Sequence, residues 1–149
     1  MATNRVAYSI KKLDSDPRRL GRWSSILVKG KNDMLCRIIC AYCPCISDGP
    51  SSTYALQIVS LAQMNIVECP RKQFWEDLSS FILQCQNQNE NVIVMGDWNS
   101  KYSEVTEWMK QFHLKDIIHS RHSTPPPPTC NRSRDSPIDI IFAPEHFIS

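Results

Sequence analysis

Val92-Ile93-Val94-Met95-Gly96-Asp97-Trp98-Asn99 is a four-residue apolar run closed by a glycine and followed at once by a carboxylate, an indole and a carboxamide. So short an apolar run, bounded by turn-forming residues, reads as a buried strand. It sets Asp97 and Asn99 at the carboxyl end of that strand, where α/β sheets gather their ligand sites, and side-chain alternation points both the same way.

Helices are expected on both sides of this strand. Upstream, Phe74, Trp75, Leu78, Phe81, Ile82 and Cys85 form a broad apolar stripe on a helix that begins after Pro70 and ends in the Asn/Gln-rich tract 86–91. Downstream, Val105, Trp108, Met109 and Phe112 share one face of a second helix, with Ser103 as candidate N-cap and Glu104 in the first turn. Further out, residues 22–29 and 34–42 read as strands flanking a turn at 30–33. The second of these is apolar on both faces except at Arg37, the pattern of an interior strand. A helix is expected over 54–64, a proline-rich loop over 120–135 and a last strand over 138–142. The charged first twenty residues lack periodicity and read as a poorly ordered lead-in or an edge piece. Strands and helices interleave without a repeat, so residues 21–149 are expected to form one domain.

Composition excludes several classes. The 149 residues are 42% hydrophobic and 21% charged, enough apolar surface for a core and too much for a disordered chain. A net charge of +2 gives no long-range field that would by itself attract nucleic acid or an acidic membrane. No apolar run approaches the ~18 residues of a membrane span, and the N-terminus lacks a secretory h-region, so an intracellular setting is expected, the nucleus included. Seven cysteines, an odd count, are read as reduced thiols.

Three strand ends carry the chemistry. Asp97 and Asn99 can hold a water and a phosphate oxygen, the carboxylate accepting a proton or touching a cation while the amide donates a hydrogen bond. The same Asp-x-Asn spacing is also ordinary turn chemistry. Asp139, within Ser136-Pro137-Ile138-Asp139-Ile140-Ile141-Phe142, is a carboxylate in an otherwise apolar strand and is expected to need a partner. Tyr42, in Ala41-Tyr42-Cys43-Pro44, ends another buried strand with a phenol able to donate to phosphate.

In this order and context the residues resemble the endonuclease/exonuclease/phosphatase superfamily, metal-dependent phosphodiesterases of deoxyribonuclease type, and within it the retrotransposon-type endonucleases. The match runs from about Gly21 to Phe142. It uses the strand ending in Tyr42-x-Pro44, the helix opening Pro70-Arg71-Lys72, Gly96-Asp97-Trp98-Asn99, the Leu114-x-Asp116 step, Thr129 and Ser136-x-Ile138-Asp139. The resemblance implies an α/β (α+β) four-layer sandwich of two packed β-sheets flanked by helices, incomplete at both ends. It implies that Asp97 positions or deprotonates the attacking water or helps hold a metal with Asn99. Asn99 and Tyr42 would hydrogen-bond the scissile phosphate, Asp139 would join the catalytic network, and Thr129 would sit on the adjoining strand near the phosphate. The implied cofactor is Mg²⁺ or Mn²⁺, and the implied substrate nucleic acid, DNA ahead of RNA.

The departures from that pattern are specific. The family's early asparagine and metal-binding glutamate do not lie in residues 1–20, and its closing Ser-Asp-His lies beyond Ser149. Pro144-Glu145-His146 imitates that triplet but stands too close to Asp139, so His146 is read as a surface histidine, and His113, His119 and His122 as solvent-facing or capping. Little or no hydrolysis is therefore expected from the isolated chain, with a missing or neighbouring polypeptide segment as one implied partner. Two other readings compete. Cys36, Cys40, Cys43 and Cys45 could form a zinc site, although their C-x3-C-x2-C-x-C spacing suits buried strand thiols better. A non-catalytic nucleic-acid-binding or scaffold module could instead use Arg71, Lys72, Lys101, Arg132 and Arg134 against phosphates.

Overall fold

A computed structural model describes residues 8–122, 124, 126–130 and 136–148. Its six strands, β1 (Ile10–Ser15), β2 (Trp23–Lys29), β3 (Leu35–Tyr42), β4 (Asn91–Asp97), β5 (Leu114–Asp116) and β6 (Asp139–Pro144), form one mixed sheet in the order β1-β2-β3-β4-β6-β5. The helices are α1 (Thr53–Gln63), α2 (Pro70–Asn87), α3 (Tyr102–Lys110) and α4 (Ile117–His122). β3 and β4 are parallel because α1 and α2 form the crossover between them; the other neighbouring pairs are antiparallel.

This is the α/β fold expected. The described residues hold a single six-stranded sheet, one of the two the expectation calls for. Of the two readings of the first twenty residues, the edge piece describes Ile10–Ser15, which pairs antiparallel with β2. Ser103 does not cap α3: the helix starts two residues earlier than that cap would set, with Lys101 at the N-cap and no side-chain cap bond. Capping is conventional elsewhere, with the Ser52 hydroxyl accepting from Ala55 N and Pro70 occupying the first turn of α2.

One side of the sheet is sealed. Trp23, Ile39, Ala41, Val92, Val94, Ile140 and Phe142 pack there against Phe74, Leu78, Ile82 and Cys85 of α2 and Val105 and Met109 of α3. Two buried ion-pair clusters sit at its margins. Fully buried Arg22 donates to both Asp16 oxygens at 2.7 Å and to Asp77 at 2.8 Å, and Arg18 completes the cluster on Asp77. Arg37, 1% exposed, forks onto Glu90 at 2.8 and 3.0 Å and reaches Asp14 at 2.7 Å. The stretch 14–18 thus earns its order through ion pairs, which apolar periodicity cannot reveal. No helix of the described residues is long and apolar enough to cross a membrane.

Candidate functional site

The chain is pinned where β4 ends. Gly96 faces Ala41 across the β3–β4 ladder so closely that a Cβ on it would lie 2.1 Å from the Ala41 carbonyl oxygen. Asp97 closes the strand, and the chain then dives inward. Trp98 is fully buried, its backbone N–H donating to Ile138 O at 2.8 Å and its indole N–H to Ile140 O at 3.2 Å. The ring stacks on Trp75 at 5.6 Å and 7° and meets Phe142 edge-on. Asn99 follows in the left-handed region, φ 44°, a conformation asparagine tolerates better than most residues.

Register does what the sequence could only suggest. Tyr42 pairs with Asp97 across β3–β4, and Asp97 with Asp139 across β4–β6. Directly opposed positions share a face of the sheet, so a phenol and two carboxylates form one row over three strands. Tyr42, Asp97 and Asn99 line a groove of about 620 Å³ together with Ser100, Lys101 and Cys130. Asp97 and Asn99 share this groove as expected, but through a turn instead of strand alternation: the Asn99 N–H donates to Asp97 Oδ1 at 3.2 Å.

The electrostatics of the row are those of an uncompensated acid pair. Burial pushes the Asp97 carboxyl above the usual carboxylate range and the facing Asp139 pushes it further, against a smaller opposing effect from the Asn99 backbone and amide. Asp139 itself is exposed at the first position of β6, which corrects the expectation that it is a strand-interior charge in need of a partner. Water solvates it.

The other predicted residues fall into place around this row. Thr129 is not on a strand. Its hydroxyl oxygen accepts from the N–H groups of Ile138 and Asp139, both at 3.0 Å, and so fixes the start of β6. Asn99 Nδ2 donates to Cys43 O at 3.0 Å, so its amide clasps the loop after β3. Arg71 strengthens that clasp by donating to Pro44 O at 2.9 Å and to the Ser100 hydroxyl, and Ser100 donates in turn to Trp98 O. The sequence offered Arg71 as one of several basic residues and as part of the Pro70-Arg71-Lys72 helix opening; its role as the tie between two strand-end loops shows only in the fold. Lys72 instead pairs with Glu68 and Glu76 on the surface. Lys101 is exposed on the groove, and Arg132 and Arg134 lie outside the described residues.

His146 stands apart. Its Nε2 meets Asn91 Oδ1 at 3.0 Å, at the opposite end of β4 from Asp97, roughly 20 Å away at ~3.3 Å per strand residue. His113, His119 and His122 are exposed. Of the clustered thiols, Cys36 and Cys43 are buried while Cys40 and Cys45 are exposed, and burial pushes the Cys43 thiol up to about 12. The described residues contain no group of three or more His, Cys, Asp or Glu side chains placed to hold a metal, which removes support for the zinc reading.

No family model matches the chain, and no curated protein matches it. Solved structures do. The 3′-5′ exonuclease NExo of Neisseria meningitidis superposes with a TM-score of 0.58 at 13% identity, covering 93% of this chain and 60% of that one. The 3′ phosphatase NExo from Neisseria bound to product DNA hairpin gives 0.56 at 14% identity with the same coverage. The APE2 catalytic domain of Xenopus laevis gives 0.52 at 14%, covering 86% of this chain and 47% of that one. The likeness is one of fold, and the chain spans about 60% of the length of the NExo structures it resembles.

Proposed function

We propose that the chain is a phosphodiesterase-type domain built to engage a nucleic-acid phosphate, DNA ahead of RNA, at the Tyr42–Asp97–Asp139 row, with hydrolysis weak or absent in the isolated polypeptide. The observation that carries this reading is the register, which sets two carboxylates and a phenol from three strands in one row, with Tyr42 and Asp97 lining the groove. The likeness to a 3′-5′ exonuclease and a DNA-bound 3′ phosphatase is consistent with it.

The row's donors fit a hard divalent cation. Asp97 and Asp139 offer carboxylate oxygens and Asn99 a carbonyl oxygen, and the Asp97 carboxyl is raised first by burial and then by the facing Asp139. Mg²⁺ or Mn²⁺ would be held by Asp97 and Asn99, supplying charge neutralisation at non-bridging phosphate oxygens. Among the described residues no third acidic side chain joins these two carboxylates, so the cation would be held weakly. Around that centre, Tyr42 presents its hydroxyl to a phosphate oxygen, Asp97 accepts a proton from an attacking water, and Asp139 raises the basicity of Asp97 through its charge. Lys101, on the groove wall, offers a cation to the neighbouring phosphate.

Nicking of supercoiled plasmid by the purified chain, with and without Mg²⁺, beside Asp97→Ala, tests this. Mg²⁺-dependent nicking lost in the variant establishes a competent site. Salt-dependent DNA binding without cleavage, weakened by Lys101→Ala, moves the chain to the binding-module reading. Neither cleavage nor binding refutes the proposal.

A further inference from the structure

The Leu114-x-Asp116 step singled out in the sequence takes no part in the row. Asp116 ends β5, is 6% exposed and accepts three hydrogen bonds. The Tyr102 hydroxyl donates to its Oδ2 at 2.9 Å, and the N–H groups of Ile118 and His119 donate to its Oδ1 at 2.8 and 3.2 Å, which caps the first turn of α4. Beyond that helix His119 Nδ1 meets Thr124 O at 3.1 Å, and the chain runs on to Thr129, which fixes the start of β6, and to Cys130 on the groove. Tyr102 leads to the opposite bank. It is the first residue of α3 and directly follows Ser100 and Lys101, both of which line the groove. One buried carboxylate therefore touches the supports of both banks.

We infer that Asp116 and Tyr102 are positioning residues for the groove, their hydrogen bond holding Lys101 in place against the bank that carries Cys130; this rests on the reading of the groove as a phosphate site. Three observations carry it. First, α3 begins without a side-chain cap, because Lys101 at the N-cap has no acceptor to offer. Its exposed ion pair with Glu104, at 3.9 Å, is a weak restraint. Second, Lys101 O accepts from the N–H groups of Glu104 and Val105, so the Lys101 backbone moves with the first turn of the helix. Val105 and Met109 seat that helix on the core, and the Tyr102 phenol ties its first residue to the end of β5. Third, all three partners of Asp116 donate, which calls for a side chain with two acceptor oxygens; an asparagine would turn an N–H₂ group onto either the phenol or the two amides. Burial, and after it the bond to Asp116, pushes the Tyr102 phenol above the ordinary tyrosine range, so it remains a donor at neutral pH.

Tyr102→Phe keeps the ring and deletes only the hydroxyl. Binding of a DNA oligonucleotide, read by fluorescence anisotropy in Mg²⁺, is expected to weaken about three- to tenfold, the range that one hydrogen bond spans. In a Lys101→Ala background the same substitution is expected to change binding by less than about twofold, because the side chain being positioned is gone, whereas a merely structural role would weaken both backgrounds alike. Asp116→Asn is expected to show the same dependence on Lys101 and serves if Tyr102→Phe does not fold. Amide hydrogen exchange needs no nucleic acid: the Glu104 and Val105 amides, bonded to Lys101 O, are expected to exchange at least about fivefold faster in Tyr102→Phe while those of β3 and β4 keep their wild-type rates. A wild type that binds no oligonucleotide refutes the phosphate reading and leaves exchange to decide whether Tyr102 holds Lys101. Unchanged exchange in Tyr102→Phe, or an equal loss of binding with and without the Lys101 side chain, overturns the inference.

Discussion

Gly96→Ala tests whether the site is positioned by a close backbone approach. The added methyl would stand 2.1 Å from Ala41 O and 2.8 Å from Ala41 C, where ordinary contact begins at 3.4 Å. Relief requires β3 and β4 to part by more than 1 Å at this step, because the clashing atom is backbone and cannot rotate away. Overpacking of this kind costs about 1–3 kcal/mol, and loosening one or two adjacent ladder bonds adds about 1 kcal/mol each. A total near 3–4 kcal/mol lowers Tm by roughly 10 °C in a chain of this size. Thermal melts followed by circular dichroism check it, with Gly49→Ala as control, since a Cβ there meets nothing closer than 3.6 Å. The same parting displaces Tyr42 from Asp97 in the next register step, so binding of a DNA oligonucleotide should fall in step with stability. A Gly96→Ala protein melting within about 2 °C of wild type refutes the reasoning.

Other outcomes follow from the ion pairs and the acid row. Glu90→Ala strips Arg37 of its bidentate partner in a buried setting and is expected to cost about 3–5 kcal/mol by urea denaturation, whereas Lys110→Ala, on an exposed pair, costs under about 1 kcal/mol. Asp97 has a folded carboxyl raised above its unfolded value, so its ionisation penalises the fold as pH rises through that window and the penalty persists above it. Asp97→Asn is accordingly expected to raise Tm at pH 7 and to lose that advantage as pH falls below about 4, measured as paired melts across pH. Asp77 behaves oppositely: burial favours its neutral form, but hydrogen bonds from Arg18, Arg22 and Gln73 prevail and lower it, so its stabilisation is lost as pH falls through the depressed value. Thr129→Val removes the acceptor of the Ile138 and Asp139 N–H groups, which water can replace at this exposed site, and should cost about 0.5–1.5 kcal/mol, with Thr129→Ser largely restoring it.

What the sequence made legible was whatever repeats. Two apolar runs and a 3.6-residue stripe locate β3, β4 and α2 to within two residues, and Gly96-Asp97-Trp98-Asn99 announces a strand end with polar chemistry. Pairing is not repetitive, and there the reading failed. Nothing local to 14–18 says that Asp16 meets Arg22 and, through it, Asp77 more than fifty residues away, so a buried ion cluster resembled a disordered charged stretch. Asp139 was misjudged for a related reason: its neighbours Ile138 and Ile140 suggest a buried strand interior, while its place as the first residue of β6 leaves it in water.

The same distinction explains why the candidate row is legible in the sequence and its support is not. Tyr42, Asp97 and Asp139 are visible because each interrupts or ends an apolar strand, and polarity at such a position stands out in one dimension. Arg71, Ser100 and Thr129 support them by bonds to backbone and hydroxyl groups of distant loops, and such bonds leave no mark on spacing. The supporting set has a physical consequence for chemistry. Cys43 N donates to Asp97 O at 2.9 Å while Asn99 returns a bond to Cys43 O, so the loops after β3 and β4 move as one body with the carboxylate between them. Groups held this way need little reorganisation when a charged ligand arrives. What the row lacks is positive charge: with Arg71 committed to Pro44 and Ser100, neutralising Asp97 and Asp139 falls to an added cation. Arg71→Met should therefore loosen both loops without changing the charge of the row, weakening oligonucleotide binding while leaving the raised Asp97 carboxyl, followed by carboxyl NMR titration, where it was. A large downward move of that titration would show Arg71 to act on the row's charge instead of its geometry.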